Sequence, residues 1–204
     1  MKIALFGATQ GTGKEVVKQA LAQGYTVRAL ARNPADLAVA RGLTVVAGNV
    51  LDLAQTADTL VGADAVICTL GKTANNPADV VSQGTANIVT AMRRSGVKRL
   101  IVLSSIGVGD SKAMAPFYFR VLTWTVLRGT MQDKEAQEAL VRQSGLQWTI
   151  VRAGGLTNGA QTGQYQHGPA QSIKAGRISR ADVADFLLHQ IIEETYMYRA
   201  VSIS

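Results

Sequence analysis

Apolar positions along this chain follow two alternating patterns: short continuous runs of strand length, and longer stretches with apolar residues three or four apart. The run "KIALF" opens the series, and residues 12–23 follow with Val16, Val17, Ala20 and Leu21 at helical spacing and Gly24 as a stop. "YTVRALA" alternates, "LTVVAG" is apolar, and "ADAVICTL" is a run of the fully buried type. "NNPADVVSQGTANIVTAMRRSG" then predicts a long helix with marked ends. Asn76 suits its cap, Pro77 its first position, Asp79 the positive first turn, and Gly96 the stop. "KRLIVLSS" reads as another buried strand, a second long helix ends at "LVRQSG", and "LQWTIVRAG" follows as a strand. "SRADVADFLLHQIIEE" predicts an amphipathic helix with Ser179 as cap and Asp182 at the capping-box position, and "YRAVSIS" a last strand. Segment 106–130 holds Phe117, Tyr118, Phe119 and Trp124 without clean periodicity, and core packing is the default reading for most of them.

Continuous apolar strands separated by helices predict a mostly parallel sheet covered on both faces. Right-handed crossovers then give a single-domain, doubly wound α/β fold over residues 1–204, with ligands expected at the carboxyl ends of the strands. A chain of 204 residues buries about 70 % of its unfolded surface, and only four prolines and no low-complexity tract leave no sign of a linker. The one cysteine, Cys68, lies inside an apolar run, so a buried thiol is expected and a disulfide framework is excluded. No stretch reaches 18 uninterrupted apolar residues, and the chain runs straight into a strand pattern, so a cytoplasmic protein without a membrane partner is expected.

The net charge of +7 raises the question of nucleic acid, but the Lys and Arg are scattered and no aromatic residues interleave with them. A pull on anionic small molecules fits better, and a monomer without nucleic-acid partners is expected. Two histidines and one cysteine do not make a zinc cluster, so no metal is expected. Neither a Gly-x-Ser-x-Gly elbow nor a P-loop is present.

Chemistry enters at "GATQGTG", residues 7–13, between the first strand and the first helix. Glycines there permit positive φ and close approach of a pyrophosphate, and the helix N-terminus supplies free N–H groups and a positive dipole end. Placement inside a strand–helix–strand unit turns a weak spacing into a dinucleotide signal. The end of the second strand narrows it. An NAD site would present a carboxylate there, whereas this chain has "RALARNP", with Arg32 at the tip and no acid before Asp36. A guanidinium at that place pairs with a 2′-phosphate, so NADPH/NADP+ is the expected cofactor. Arg28, on the same strand, either assists or faces solvent.

The stretches "GATQGTG", "ALARNP", "GNVLD", "AVICTLG", "SQGTANIVTAMRRSGVKRLIVLSS" and "SGLQWTIVRAGGL" together resemble an atypical short-chain dehydrogenase/reductase. Within that superfamily, "LGK", "VSQGTANIVTAMRRSGV" and "TGQY" are most similar to the biliverdin-IXβ reductase/flavin reductase group. The resemblance implies that Gly7, Thr9, Gln10, Gly11, Thr12 and Gly13 wrap the pyrophosphate, although the family's usual GATGxTG has two positions exchanged here. It implies that Asn49 and Val50 flank adenine, that Leu70 and Gly71 pass under the nicotinamide ribose, and that Ser104 and Ser105 lie beside the nicotinamide. Ala153, Gly154, Gly155 and Leu156 would hold the carboxamide. The acceptor pocket would be built from loops 71–78, 106–130 and 153–170, with Lys72, Phe117 and Trp124 as substrate contacts.

Two departures shape the expected mechanism. Ordinary short-chain reductases carry Tyr-x-x-x-Lys, but in "TMQDKEAQE" Thr130 takes the tyrosine's place while Lys134 keeps the lysine's. Lys134 followed by Glu138 also reads as an exposed helix ion pair. The histidine that the group often carries after the sixth strand is Gly155 here; His189 reads as structural and His167 falls in a loop of unassigned place. The expectation is hydride transfer from NADPH to a planar conjugated acceptor, a flavin such as FMN or FAD used as substrate or a biliverdin such as biliverdin IXβ. Ser105 and Lys134 are the candidate catalytic residues. The alternative is a non-catalytic NADP(H)-binding redox sensor or assembly factor of the same fold.

Overall fold

Six apolar runs become six parallel strands: β1 (Lys2–Phe6), β2 (Thr26–Ala31), β3 (Leu43–Ala47), β4 (Ala65–Cys68), β5 (Arg99–Ser105) and β6 (Gln147–Ala153). The computed structural model describes residues 1–73, 76–114, 128–173 and 175–204. A separate parallel pair is formed by β7 (Gly155–Thr157) and β9 (Arg177–Ser179). The main sheet is completed at one side by β8 (His167–Gly168) and β10 (Arg199–Ile203), in the order β3-β2-β1-β4-β5-β6-β10-β8. Among the described residues only β8, paired with β10, runs antiparallel.

Alternate residues of each strand feed opposite cores. Ile3, Leu5, Ala29, Ile67, Ile101 and Val151 point to one face, where they meet Val16 and Ala20 of α1 (Gly11–Ala22). On the other face Ala4, Phe6, Leu30, Val66, Leu100 and Ile150 meet Ile88 and Met92 of the long helix that precedes β5. The helices after α1 are α2 (Leu53–Thr59), α3 (Val80–Ser95), α4 (Arg128–Arg142) and α5 (Arg180–His189), and α5 shares the core of α1. A sheet buried on both sides explains why the strands read as unbroken apolar runs. Among the described residues no helix is long and apolar enough to cross a membrane.

The helix ends show where local signals held and where tertiary contacts replaced them. Gly96, at φ +78°, ends α3 and donates its N–H to the Met92 carbonyl, as the spacing predicts. Ser179 caps α5, accepting the Asp182 N–H at 2.9 Å. The predicted start of α3 is corrected. The helix begins at Val80, with Asp79 as a cap residue whose side chain makes no capping bond. Its first-turn N–H groups are bound instead by the Asp133 carboxylate of α4, 3.0 Å from the Val81 nitrogen and 2.8 Å from that of Ser82. Asn76, freed from capping, accepts a hydrogen bond from Arg32 at 2.6 Å. A partner from another helix supplies what the local sequence suggested Asn76 would.

Under the carboxyl ends of β5 and β6 lies a buried ionic network. Arg152 of β6 is 0 % exposed and donates through Nε and Nη2 to the two Glu138 oxygens at 2.9 and 2.7 Å. Ser104 donates to the same carboxylate at 2.7 Å and Arg142 at 2.8 Å, while Asp110 accepts from Arg152 at 2.5 Å. Burial alone would raise the Glu138 pKa, but the bonds and charge of Arg152, with Ser104 and Arg142, hold it below the ordinary 4.5. The folded value is therefore depressed. Its stabilisation is present above pH 4.5, and it is lost as pH falls through the lower folded value. Glu138→Gln should reduce stability at neutral pH by about 3 kcal/mol, because it leaves the buried Arg152 only the exposed Asp110 carboxylate as counter-charge. It should also flatten the acid limb of the stability profile. Chemical denaturation across pH checks both, and parental stability at pH 7 would contradict the assignment.

Candidate functional site

The parallel strands β1 to β6 and β10 reach one edge with their carboxyl ends. From β1 the chain moves outward to β2 and β3, then returns to place β4 on the other side of β1. That reversal opens a crevice at the switch point. A groove of about 580 Å³ occupies it, running from Arg32 and Asn76 past the glycine-rich turn to Ser105, Lys134, Ala153 and Leu156.

The glycine-rich turn is bare for two reasons. Gly7 lies at φ +91°, and a Cβ there would stand 2.7 Å from the Thr69 carbonyl. A Cβ on Gly13 would stand 2.0 Å from the Gly7 carbonyl oxygen. These two glycines serve the packing of α1 against the ends of β1 and β4, and Gly13 does not line the groove. The resemblance counts Gly13 in the pyrophosphate wrap; the turn itself requires its missing side chain, with or without a ligand. Gly7, Thr9, Gln10, Gly11 and Thr12 do line the groove. Gln10, in extended backbone at the helix start, makes no side-chain capping bond. Thr12 is 5 % exposed, and its Oγ1 has no hydrogen-bond partner. A buried, unpartnered hydroxyl beside free helix N–H groups fits an anionic phosphate.

At the far end, Arg32 is exposed and its Nη1 is held by Asn76. Arg28 does not join it, donating instead to the carbonyl of Asp58 at 2.9 Å and to its carboxylate at 3.5 Å. Asn49 and Val50 line the groove, with the Asn49 Oδ1 accepting the Leu51 N–H at 3.1 Å. The pattern brings Leu70, Gly71 and Lys72 after β4 to the groove, with Ser104 and Ser105 of β5 and Ala153, Gly154 and Leu156 from the end of β6 onward. Gly155 is not among the lining residues; it pairs within the small β7–β9 sheet.

Lys134 reaches the groove floor, but not as an exposed ion pair with Glu138. Its ammonium is buried and donates to the Leu70 carbonyl at 3.0 Å, the Leu103 carbonyl at 2.7 Å and Gln137 Oε1 at 3.1 Å. Burial pushes its pKa down, as it pushes the neighbouring Cys68 thiol up. The i,i+4 reading failed because this face of α4 packs on the sheet, where Arg152 claims Glu138. Ser104 lines the groove, yet its hydroxyl is turned to Glu138. Ser105 donates to the Ile106 carbonyl at 3.0 Å.

Phe117 and Trp124 lie outside the described residues. His167 is away from the groove, 2.8 Å from the Tyr196 hydroxyl, and His189 lies 3.5 Å from Asp185. Among the described residues no cluster of His, Cys, Asp and Glu could hold a metal ion. Sequence reasoning missed Asn158 and Arg180, which line the groove, Arg180 lying against Gly11 of the glycine-rich turn. One signal was available: Arg180 is the first residue of α5, where a cation opposes the helix dipole.

Comparison with known proteins agrees with this geometry. A family model described as NAD(P)H-binding matches residues 7–194. A chloroplastic protein of Arabidopsis thaliana is 31 % identical over 218 residues, covering 99 % of this chain and 76 % of its own length. The reductase pytE of Aspergillus terreus is 28 % identical over 259 residues, covering 99 % and 97 %. The structure of ChuY, an anaerobillin reductase from Escherichia coli O157:H7, superposes with a TM-score of 0.84 at 24 % identity, over 100 % of this chain and 96 % of that one. The chain belongs to the NAD(P)H-binding, Rossmann-like family of short-chain-dehydrogenase type.

Proposed function

We propose that the protein is an NADPH-dependent reductase whose acceptor is a planar conjugated molecule, a flavin such as FMN or FAD or a linear tetrapyrrole such as biliverdin IXβ. One observation carries this reading: among the described residues, the polar end of the groove offers groups that orient and no committed proton donor. The three Lys134 donors are taken by two carbonyls and an amide oxygen. No tyrosine or histidine among the described residues lines the groove. A ketone or sugar substrate needs a general acid near its oxygen. An electron-poor ring system takes its proton from water through its own heteroatoms, so such a groove suffices. The 28 % identical fungal reductase supports reduction as the reaction class.

When bound, NADPH supplies the hydride, and the chain's part is orientation. Gly11 and Thr12 present N–H groups and a hydroxyl to the diphosphate. Arg32 takes the 2′-phosphate, with Asn76 holding its guanidinium at the groove mouth. Asn49 and Val50 flank the adenine, and the backbone of Ala153, Gly154 and Leu156 holds the carboxamide. Lys134 acts as a positioning residue: by binding the carbonyls of Leu70 and Leu103 it fixes the ends of β4 and β5 under the reacting rings. Ser105 exchanges its local bond to Ile106 for one to the acceptor or carboxamide. Lys72, exposed at the groove edge, attracts an acceptor phosphate or propionate.

Steady-state NADPH oxidation with FMN, FAD and biliverdin IXβ tests the whole reading. Acceptor-dependent turnover is expected, whereas tight NADPH binding without turnover on any of them would overturn it in favour of a sensor or assembly role. Arg32→Ala should weaken NADPH binding about ten- to a hundredfold and leave NADH binding near parental, as expected for one charge-assisted phosphate contact. Undiminished discrimination in that variant would remove Arg32 from the site. Ser105→Ala should lower kcat modestly, and a loss beyond about a thousandfold would make Ser105 an essential proton-transfer group instead.

A further inference from the structure

We infer that Arg180, lying over the start of α1, closes a clamp on the cofactor diphosphate beside the glycine-rich turn, with Asn158 as its positioning residue. The inference rests on placing NAD(P)H in this groove, and not on the identity of the acceptor. Its starting point is an unbalanced corner of positive charge. The N-terminus of α1, at Gly11, and that of α5, at Arg180, lie side by side at the groove. A Cβ on Gly11 would lie 3.2 Å from Arg180 Nε and 3.5 Å from its Cδ, so the arginine side chain passes directly over the start of α1.

A solvated arginine gains from a helix C-terminus, and this one sits at the opposite end. No carboxylate pairs with it among the described residues. Its hydrogen bond runs from Nη1 to the neutral Asn158 Oδ1 at 2.6 Å. Next to Gly11, Thr12 Oγ1 is buried without a partner. A guanidinium, helix N–H groups and a hydroxyl thus converge on one place, and what they lack is an anion with several oxygens. A diphosphate has that form, and a planar guanidinium fork matches phosphate oxygens better than an amide.

The small sheet delivers both residues: Asn158 directly follows β7, and Arg180 directly follows β9. Asn158 holds the guanidinium over Gly11 until phosphate oxygens engage its remaining donors. Since both nicotinamide dinucleotides share the diphosphate, Arg180 should serve them equally, unlike Arg32.

Calorimetric titration of NADPH and of NADH into the parent, Arg180→Ala and Arg180→Lys, with folding checked by circular dichroism, tests the clamp. Arg180→Ala should weaken both dinucleotides about ten- to a hundredfold while their affinity ratio stays parental. Arg180→Lys, which keeps the charge and loses the fork, should fall between, and it carries the test if the alanine variant does not fold. Parental affinity in folded variants, or a loss confined to NADPH, would overturn the clamp. A parent that binds neither dinucleotide would instead refute the placement on which it rests.

Discussion

Helix α1 lies against the turn that leaves β1 so closely that no Cβ fits at Gly13, where it would meet the Gly7 carbonyl oxygen at 2.0 Å. The rest of the site depends on that approach. It points the free N–H groups of α1 along the carboxyl edge of the sheet, where the positive end of the helix faces a groove and not the core. Gly7, turned to φ +91°, admits Thr69 from the end of β4, whose hydroxyl donates to the carbonyls of Phe6 and Gly7 at 3.1 and 3.2 Å. The turn is thus tied across the switch point between β1 and β4, where the sheet topology opens the crevice.

Polar groups beneath the groove are satisfied by one another, and this sets its chemistry. Glu138 and Arg152 neutralise each other inside the protein, and Ser104 turns its hydroxyl to them. Lys134 spends its protons on backbone carbonyls of two neighbouring strands. Groups that would be acids, bases or hydrogen-bond donors in a looser site are here fastened into the scaffold. Among the described residues, what remains to a ligand is mostly backbone, the hydroxyls of Thr12 and Ser105, the Lys72 ammonium, and guanidinium groups at the groove's walls and mouth. Such a surface orients a dinucleotide well and protonates a substrate poorly.

Features set by near neighbours in the chain were legible in the sequence. The strand–turn–helix at residues 7–13, the alternation that feeds two cores, the left-handed stop at Gly96 and the Ser179 cap all follow from local spacing. Arg32 at the end of β2 was legible for the same reason. Features set by distant partners were not. Asp133 caps α3 from a helix some fifty residues later, and Asn76 is thereby free to hold Arg32. The pairing of Glu138 with Lys134 looked sound by helix periodicity, but it gave way to Arg152 because that face of α4 is buried. Arg180 reaches Gly11 from the other end of the chain, a contact no spacing could show.

A structure of the complex at saturating NADPH measures the central claim directly. The account predicts diphosphate oxygens about 3 Å from the Gly11 and Thr12 nitrogens and from Thr12 Oγ1, within ordinary hydrogen-bond distance, with the 2′-phosphate on Arg32. A dinucleotide bound away from the N-terminus of α1, or one whose adenosine end lies far from Arg32, would contradict it.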